Sequence, residues 1–447
     1  MINENKRFGG FPSRIEKKVR AVVLVPICQE NESKNTASGC SVSSRLKEAL
    51  GLARAIRLEV VYYETVNIVT LRPATLFGKG KVEALAQYIS EYSIELAIVD
   101  YSLTPVQQRN LEKLWHCKVI DRTALILEIF GERARTKEGV LQVELAHLSY
   151  QKSRLVRSWT HLERQRGGRG FLGGPGETQI EEDRRRLQEK IVRIRRELET
   201  VMKTRALHRA KRKKTPHPVV ALVGYTNTGK STLFNHLSGA DVLAKNMLFA
   251  TLDPALRKVI LPHGQTILLS DTVGFISNLP THLIAAFKAT LEEVVEADLI
   301  LHVRDMSDFD HRVHAQDVLR VLSSLGIDID DTERIIEVWN KIDILDEQAL
   351  NVLQTNAKTR LNPAVMVSAL MGDGLGQLLT AIEKRIFGEM QKVECLLRPH
   401  QMSLIDWFYE NSGEIMQEGH DDGSVTIRAV LTCEAKKRLD YIKQNLN

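Results

Sequence analysis

From residue 19 onward, short uninterrupted apolar runs alternate with stretches of helical period. The runs AVVLVP (21–26), VVYYETV (60–66) and IELAIVD (94–100) predict buried strands, CKVIDRT (117–123) predicts one more, and residues 43–56 and 80–92 predict helices between them. This alternation specifies a small α/β domain with a mostly parallel sheet, because crossover helices cover the faces of parallel strands. The domain takes in residues 19–137, behind a polar, flexible tail at 1–18. Within it, FGKGK (77–81) reads either as a phosphate cradle or as a helix N-terminus entered through a glycine turn.

The period changes over residues 138–215. Leu141, Leu145, Leu148, Leu155, Trp159 and Leu162 keep alternating spacings of four and three, with Lys152 at the skipped position. Ile180, Leu187, Ile191, Ile194, Leu198 and Val201 do the same, with Arg184 at the skip. Each set is a heptad seam. Between them RGGRGFLGGPGET (166–178) is too rich in glycine to stay helical, and Thr178-Gln179-Ile180-Glu181 fits a capping box that restarts the helix. The expectation is an antiparallel helical hairpin with a glycine-rich tip loop at 166–178.

Pro216 and Pro218 punctuate its end, and a second α/β domain runs over 216–390. A small C-terminal domain at 391–447 follows; its clearest element is DGSVTIRAVL (422–431), an alternating strand after an Asp-Gly turn. The fold class is thus α/β, with a nucleotide-binding P-loop domain, an N-terminal α/β domain joined to it by the hairpin, and a small C-terminal domain. A length of 447 residues suits two to four domains.

Composition adds little until it is resolved along the chain. Five cysteines with no C-x-x-C pair argue against a disulfide framework or a zinc site and fit a reducing cytosol. No apolar run is long enough for a membrane span, and the N-terminus lacks a signal-peptide core. The net charge is only +6, but residues 138–215 hold 20 Lys/Arg against 10 Asp/Glu, so the rest of the chain is slightly acidic. Arg184, Arg185, Arg186, Lys190, Arg193, Arg195 and Arg196 line the second helix, and Lys211, Arg212, Lys213 and Lys214 end it. Concentrated positive charge is the footprint of a polyanion; the plainer reading is a solvated face on a spacer.

The second α/β domain carries the chemistry. The strand VVALVG (219–224) leads into Gly224-Tyr225-Thr226-Asn227-Thr228-Gly229-Lys230-Ser231, and an apolar helix follows. In this strand–loop–helix context G-x-x-x-x-G-K-S is a phosphate loop: backbone N–H groups wrap the phosphates, Lys230 reaches the β- and γ-phosphates, and Ser231 binds Mg²⁺. ILLS then ends in Asp271-Thr272-Val273-Gly274, an acidic residue for the magnesium and an N–H at Gly274 for the γ-phosphate. IIEVW (335–339) ends in Asn340-Lys341-Ile342-Asp343. The Asp343 carboxylate accepts from guanine N1–H and N2–H, a pair that adenine lacks, so ATP would leave it unpaired. Asn340 supports the loop, the Lys341 stem packs on the base, and Ser368-Ala369-Leu370 offers a backbone N–H to guanine O6. In LFATLDP (248–254), covering Phe249, Ala250, Thr251, Leu252 and Asp253, Thr251 is the candidate to close over Mg²⁺ and the γ-phosphate and to be released when that phosphate is lost. These motifs imply GTP/GDP as ligand, Mg²⁺ as cofactor and GTP hydrolysis as the reaction.

GYTNTGKSTLFN (224–235), FATLDP (249–254), DTVGFI (271–276) and RGGRGFLGGPGETQIEEDRR (166–185) closely resemble HflX-type GTPases, of the translation-factor-related class; GKGKVEALA (78–86), CKVIDRTALILEIF (117–130) and RARTKEGVLQVELA (133–146) extend the resemblance. It implies binding to the large ribosomal subunit and ribosomal RNA through the hairpin, whose loop reaches towards the peptidyl transferase centre. It also implies separation of stalled or idle ribosomes in the GTP form, and hydrolysis stimulated by the ribosome. By this resemblance Mg²⁺ falls to Ser231 and Thr251, with Asp271 acting through water. Arg169, Phe171 and Leu172 of the glycine loop vary among relatives. The implied protein is a cytoplasmic monomer that engages neither DNA nor, stably, a membrane. A role in large-subunit assembly would use the same nucleotide residues, and a non-hydrolysing RNA-binding module would not need Lys230, Ser231, Thr251 and Asp271.

Where many switch GTPases place a Gln after D-x-x-G to orient the attacking water, this chain has Phe275, which cannot hydrogen-bond water. Intrinsic hydrolysis is therefore expected to be slow, and a partner group worth about 10³–10⁵ in rate to complete it. A single-turnover assay of the isolated protein checks this; fast hydrolysis without any partner contradicts it.

Overall fold

The computed structural model describes residues 18–28, 40–158, 175–212, 217–239, 248–249, 255–277, 288–359, 363–412 and 415–446. The chain divides into two compact units, Met1–Asn35 with Val42–Glu128 and Thr36–Ser41 with Ile129–Asn447.

In the first unit, β1 (Arg20–Cys28), β2 (Glu59–Ile68), β3 (Leu96–Val99) and β4 (Lys118–Asp121) form a parallel sheet of order β2-β1-β3-β4. The helices α1 (Val42–Ala55), α2 (Lys79–Glu91) and α3 (Pro105–Trp115) connect the strands. Burial explains the apolar runs: Val22, Leu24, Ala97, Val99 and Leu111 are sealed in one core, where Trp115 donates its indole N–H to the Val82 carbonyl at 3.1 Å. Thr104 and Gln107 make a capping box at the start of α3, a helix the periodicity did not reveal. The strand expected at 117–123 is shorter. It stops at Asp121, whose carboxylate accepts from the Ala124 N–H at 2.8 Å, and α4 (Arg122–Arg133) starts at the next residue. At 77–81, α2 begins at Lys79 after Gly78, and the Lys81 ammonium is held by both Glu64 carboxylate oxygens at 2.5 and 2.6 Å.

In the second unit, α5 (Lys137–Ser158) and α6 (Pro175–Arg212) pack along the heptad positions. Leu141, Leu148, Ile191, Ile194 and Leu198 are buried together, with Leu145, Leu187 and Val201 against them. Lys152, at the skipped position, stays in the seam by donating to Gln188 Oε1 at 2.5 Å. The second helix starts three residues before the expected Thr178, at Pro175: proline's fixed φ suits the first helical turn, so the helix needs no later restart. Trp159, Leu162 and residues 166–174 of the expected tip loop lie outside the described residues.

The nucleotide domain is a six-stranded sheet of order β10-β9-β8-β5-β7-β6: β5 (Val219–Gly224), β6 (Ala255–Ile260), β7 (Thr266–Asp271), β8 (Leu299–Asp305), β9 (Ile335–Asn340) and β10 (Val365–Met366). Only β6 runs antiparallel to its neighbour. The parallel strands put their carboxyl ends on one edge, and the motif loops leave from there. The helices α7 (Lys230–Ser238), α8 (Lys288–Val295), α9 (His311–Ser324), α10 (Glu347–Thr359) and α11 (Leu375–Phe387) follow in chain order. At the C-terminus, β11 (Met390–Leu397), β12 (Ile415–Gly419) and β13 (Val425–Thr432) form an antiparallel sheet of order β11-β13-β12. It shares a core of Leu397, Phe408, Ile427 and Leu439 with α12 (Leu404–Asn411) and α13 (Cys433–Leu446). No described helix is long and apolar enough to cross a membrane.

The seam of α5 and α6 is a local core, so Ile191→Ala should cost about 2–4 kcal/mol in the unfolding of the helical pair. The loss is measured from the urea midpoint, with nucleotide affinity unchanged.

Candidate functional site

The phosphate loop is built by close backbone approach. At Gly224 a Cβ would collide with the Val303 carbonyl of the adjacent strand β8, and at Gly229 (φ +91°) it would collide with the Asn340 side-chain amide. Only glycine fits either place. Gly229 caps α7 with no side-chain hydrogen bond, which leaves the first N–H groups of that helix for an anion. Lys230 is buried, and its ammonium donates to the carbonyls of Gly224 at 3.1 Å and Tyr225 at 2.6 Å. Burial pushes its pKa down to about 8, opposed by the charge of Asp271. Thr228 Oγ donates to the Tyr225 carbonyl at 3.0 Å, and Asn227 takes a left-handed φ of +60° at the turn. Thr226 Oγ is buried with no hydrogen-bond partner among the described residues.

Asp271 ends β7 with no exposure, and Ser231 Oγ donates to its carboxylate at 2.8 Å. Thr272 Oγ donates to the Leu222 carbonyl at 2.5 Å, which fixes the chain as it turns out of the sheet, and Val273 is buried beside it. Gly274 then runs against the phosphate loop: a Cβ there would lie 3.1 Å from Lys230 Nζ. Phe275 pairs with the loop itself. Its N–H donates to the Gly224 carbonyl at 3.1 Å, its carbonyl accepts from the Thr226 N–H at 2.7 Å, and the residue is 2% exposed.

The residues expected to read the base meet through one amide. Asn340, 1% exposed at the end of β9, donates to the Thr228 carbonyl at 2.7 Å and accepts from the Ala369 N–H at 2.9 Å. Lys341 takes a left-handed φ of +66°, so the chain reverses at once into the short 3₁₀ turn Ile342–Ile344 that carries Asp343. The Asp343 carboxylate accepts from Ser368 Oγ at 2.6 Å, and Ser368 is fully buried. Leu370 is exposed at the rim. The structure therefore gathers residues 224–231, 271–275, 340–343 and 368–370 at one edge of the sheet. It brings Phe249 elsewhere. Its ring is buried edge-on against Phe130 of α4, with centroids 4.7 Å apart, so only its backbone is left to face a nucleotide. Ala250, Thr251, Leu252 and Asp253 lie outside the described residues.

Sequence reasoning missed three partners. Asp305 forms a 2.6 Å ion pair with Lys341; the signal was available, since Asp305 is an acidic residue ending the buried strand β8. The Tyr225 ring stacks on His314 of α9 at 3.9 Å between centroids, and no motif encodes that. His302, on β8 beside the phosphate loop, is buried and pushed down to about 4 by desolvation, so it is neutral there.

A mostly parallel sheet with a phosphate loop, an acidic residue ending β7 and an N-K-x-D loop after β9 defines a P-loop GTPase. Four family profiles match successive parts of the chain: GTP-binding GTPase N-terminal over 43–131, GTP-binding GTPase Middle Region over 133–212, 50S ribosome-binding GTPase over 219–341, and HflX C-terminal domain over 352–444. The chain is 48% identical over 403 residues to the GTPase HflX of Magnetococcus marinus, covering 90% of each, and 43% identical over 398 residues to that of Escherichia coli, covering 88% of this chain and 91% of the relative. A GTP-binding protein from Sulfolobus solfataricus in complex with GDP aligns at 22% identity and a TM-score of 0.44, covering 82% of this chain and 98% of that one. The chain belongs to the HflX family of GTPases.

Nucleotide phosphates favour the charged form of Lys230, so binding takes up a proton wherever the free protein has lost it. Below pH 8 this group makes affinity flat with pH. Above about 8, affinity for GDP should fall by up to about tenfold per pH unit. Titration of a fluorescent GDP analogue from pH 7 to 9.5 measures it, and Lys230→Ala should abolish both the binding and the trend.

Proposed function

We propose that this protein is a GTP-driven factor acting on the large ribosomal subunit, which in its GTP form promotes separation of ribosomes into subunits and hydrolyses GTP when the ribosome stimulates it. The observation that carries this reading is α6: a helix fixed to α5 by its apolar seam, with Arg184, Lys190, Arg195 and Arg196 exposed and outside any ion pair among the described residues. A rigid basic ridge is suited to an RNA backbone. The match of 219–341 to a profile described as 50S ribosome-binding GTPase supports the same partner.

In this reading Lys230 and the N-terminus of α7 hold the phosphates, the Gly274 N–H meets the γ-phosphate, and Thr251 closes over it. Asp343 reads guanine, oriented by Ser368, while Lys341 is held over the base by Asp305. Mg²⁺ fits the donor set, because Ser231 Oγ and the Asp271 carboxylate lie 2.8 Å apart as a hard-oxygen pair. Ser231 and Thr251 would hold the ion directly and Asp271 through water, and the ion would neutralise charge developing on the phosphates. Phe275 is engaged with the phosphate loop and offers no group to the attacking water, so the missing group comes from the ribosome.

Three arginines of α6 are paired within the helix: Arg185 with Glu189, Arg186 with Glu182 and Arg193 with Glu197. Only the unpaired cations release counterions fully on binding. GTP turnover with large subunits should therefore exceed turnover alone by orders of magnitude and weaken as salt rises, and Arg184→Glu with Arg195→Glu should abolish the stimulation. Turnover is compared at two salt concentrations with and without large subunits. Stimulation that survives both the salt and the double substitution refutes the basic-ridge contact. Intact ribosomes that stay whole on a gradient with protein and GTP refute the splitting role.

A further inference from the structure

The side chain of Tyr225 ties the phosphate loop to the segment beyond the D-x-x-G motif. Tyr225 follows the first glycine of the phosphate loop and is 6% exposed. Its carbonyl is committed inward, accepting from Lys230 Nζ at 2.6 Å and Thr228 Oγ at 3.0 Å. Its phenol oxygen accepts from the Ser277 N–H at 2.8 Å, two residues past Phe275. Its ring lies flat on His314, with 11° between the planes. The backbones are already paired at Phe275, through the Gly224 carbonyl and the Thr226 N–H. The phenol adds a clamp further along, so the segment is held at two successive points rather than one.

We propose that Tyr225 is a positioning residue for GTP hydrolysis: through its hydroxyl it fixes the backbone of residues 274–277 above the phosphate loop. The need follows from Phe275. A GTPase with glutamine at that place orients water with a side chain, whereas here the side chain is buried and apolar and the placement of the Gly274 N–H against the γ-phosphate depends on the backbone alone. The stack on His314 keeps the phenol from rotating away from Ser277 and is independent of the nucleotide motifs. The clamp joins the phenol to the Ser277 N–H and the ring to His314, not to Lys230 or the N-terminus of α7, so its loss should act on rate and leave ground-state binding alone.

Tyr225→Phe removes the hydroxyl and keeps the ring, the stack and the backbone pairing at Phe275. For the full chain loaded with GTP, the single-turnover rate constant should fall about five- to tenfold, the range set by losing one well-formed hydrogen bond. Affinity for a fluorescent GDP analogue should stay within twofold. With a non-hydrolysable GTP analogue bound, the peptide holding Ser277 should exchange its amide hydrogen faster than in the parent protein. A rate constant unchanged within twofold overturns the proposal, as does unchanged exchange at Ser277. So does a joint loss of rate, GDP affinity and melting temperature, which marks Tyr225 as a packing residue only.

Discussion

One buried amide holds the nucleotide site together. Asn340 stands where β9 ends, gives its N–H to the phosphate loop at Thr228 and takes the N–H of Ala369 from the loop after β10. An amide offers a donor and an acceptor on separate atoms in a fixed plane, so it can hold a carbonyl of one loop and an N–H of another at once, where a carboxylate could only accept. The demand for glycine at 229 follows from this, because the amide occupies the space a side chain would need. Burial multiplies the consequence. With Asn340 at 1% exposure, neither the Thr228 carbonyl nor the Ala369 N–H can turn to water instead, so phosphate and base readers cannot move independently.

Around that bridge the site divides its electrostatics. Lys230 is desolvated, with only carbonyls and a nearby carboxylate to steady its charge, and so is weakly basic for a lysine until anionic phosphates meet it. At the other end, Lys341 is neutralised by Asp305 and Asp343 is steadied by Ser368. The phosphate end is therefore tuned to charge and the base end to hydrogen-bond pattern. Between them Phe275 occupies the place of the catalytic side chain while its backbone does the holding.

Much of this was legible in the sequence, and the reason is the spacing of the motifs. A phosphate loop needs its glycines and lysine in adjacent positions, so geometry is written locally; the same holds for the apolar seam of α5 and α6, where Leu141, Leu148, Ile191 and Ile194 fall where their period places them. What failed to show was set by contacts distant in sequence. Tyr225 stacks on His314 and Phe249 commits its ring to Phe130, neither of which a local pattern encodes, and Lys341 meets Asp305, whose only local signal is an acidic residue ending a buried strand. The short strand β4 misled for a different reason. Arg122 was read as the strand's continuation, yet its guanidinium is drawn into a buried cluster with Asp100 and Glu48, and α4 starts there.

The basic helix shows where counting charges stops being sufficient. Seven cations were read along its exposed length, but Arg185, Arg186 and Arg193 each face a glutamate one turn away. Such exposed pairs contribute only about 0.3–0.5 kcal/mol, so a phosphate can displace the glutamate at little cost. The exchange nevertheless replaces one anion with another and leaves the long-range field of the helix unchanged. Arg184 and Arg195 are different: they lie eleven residues, or about three turns, apart on one face and carry no such partner. Field and contact coincide there, next to the apolar seam that keeps the helix straight. Lys190 and Arg196, also exposed, lie on other faces of the same helix, so its positive charge is spread round it, and Arg184 with Arg195 supplies the share that borders the apolar seam.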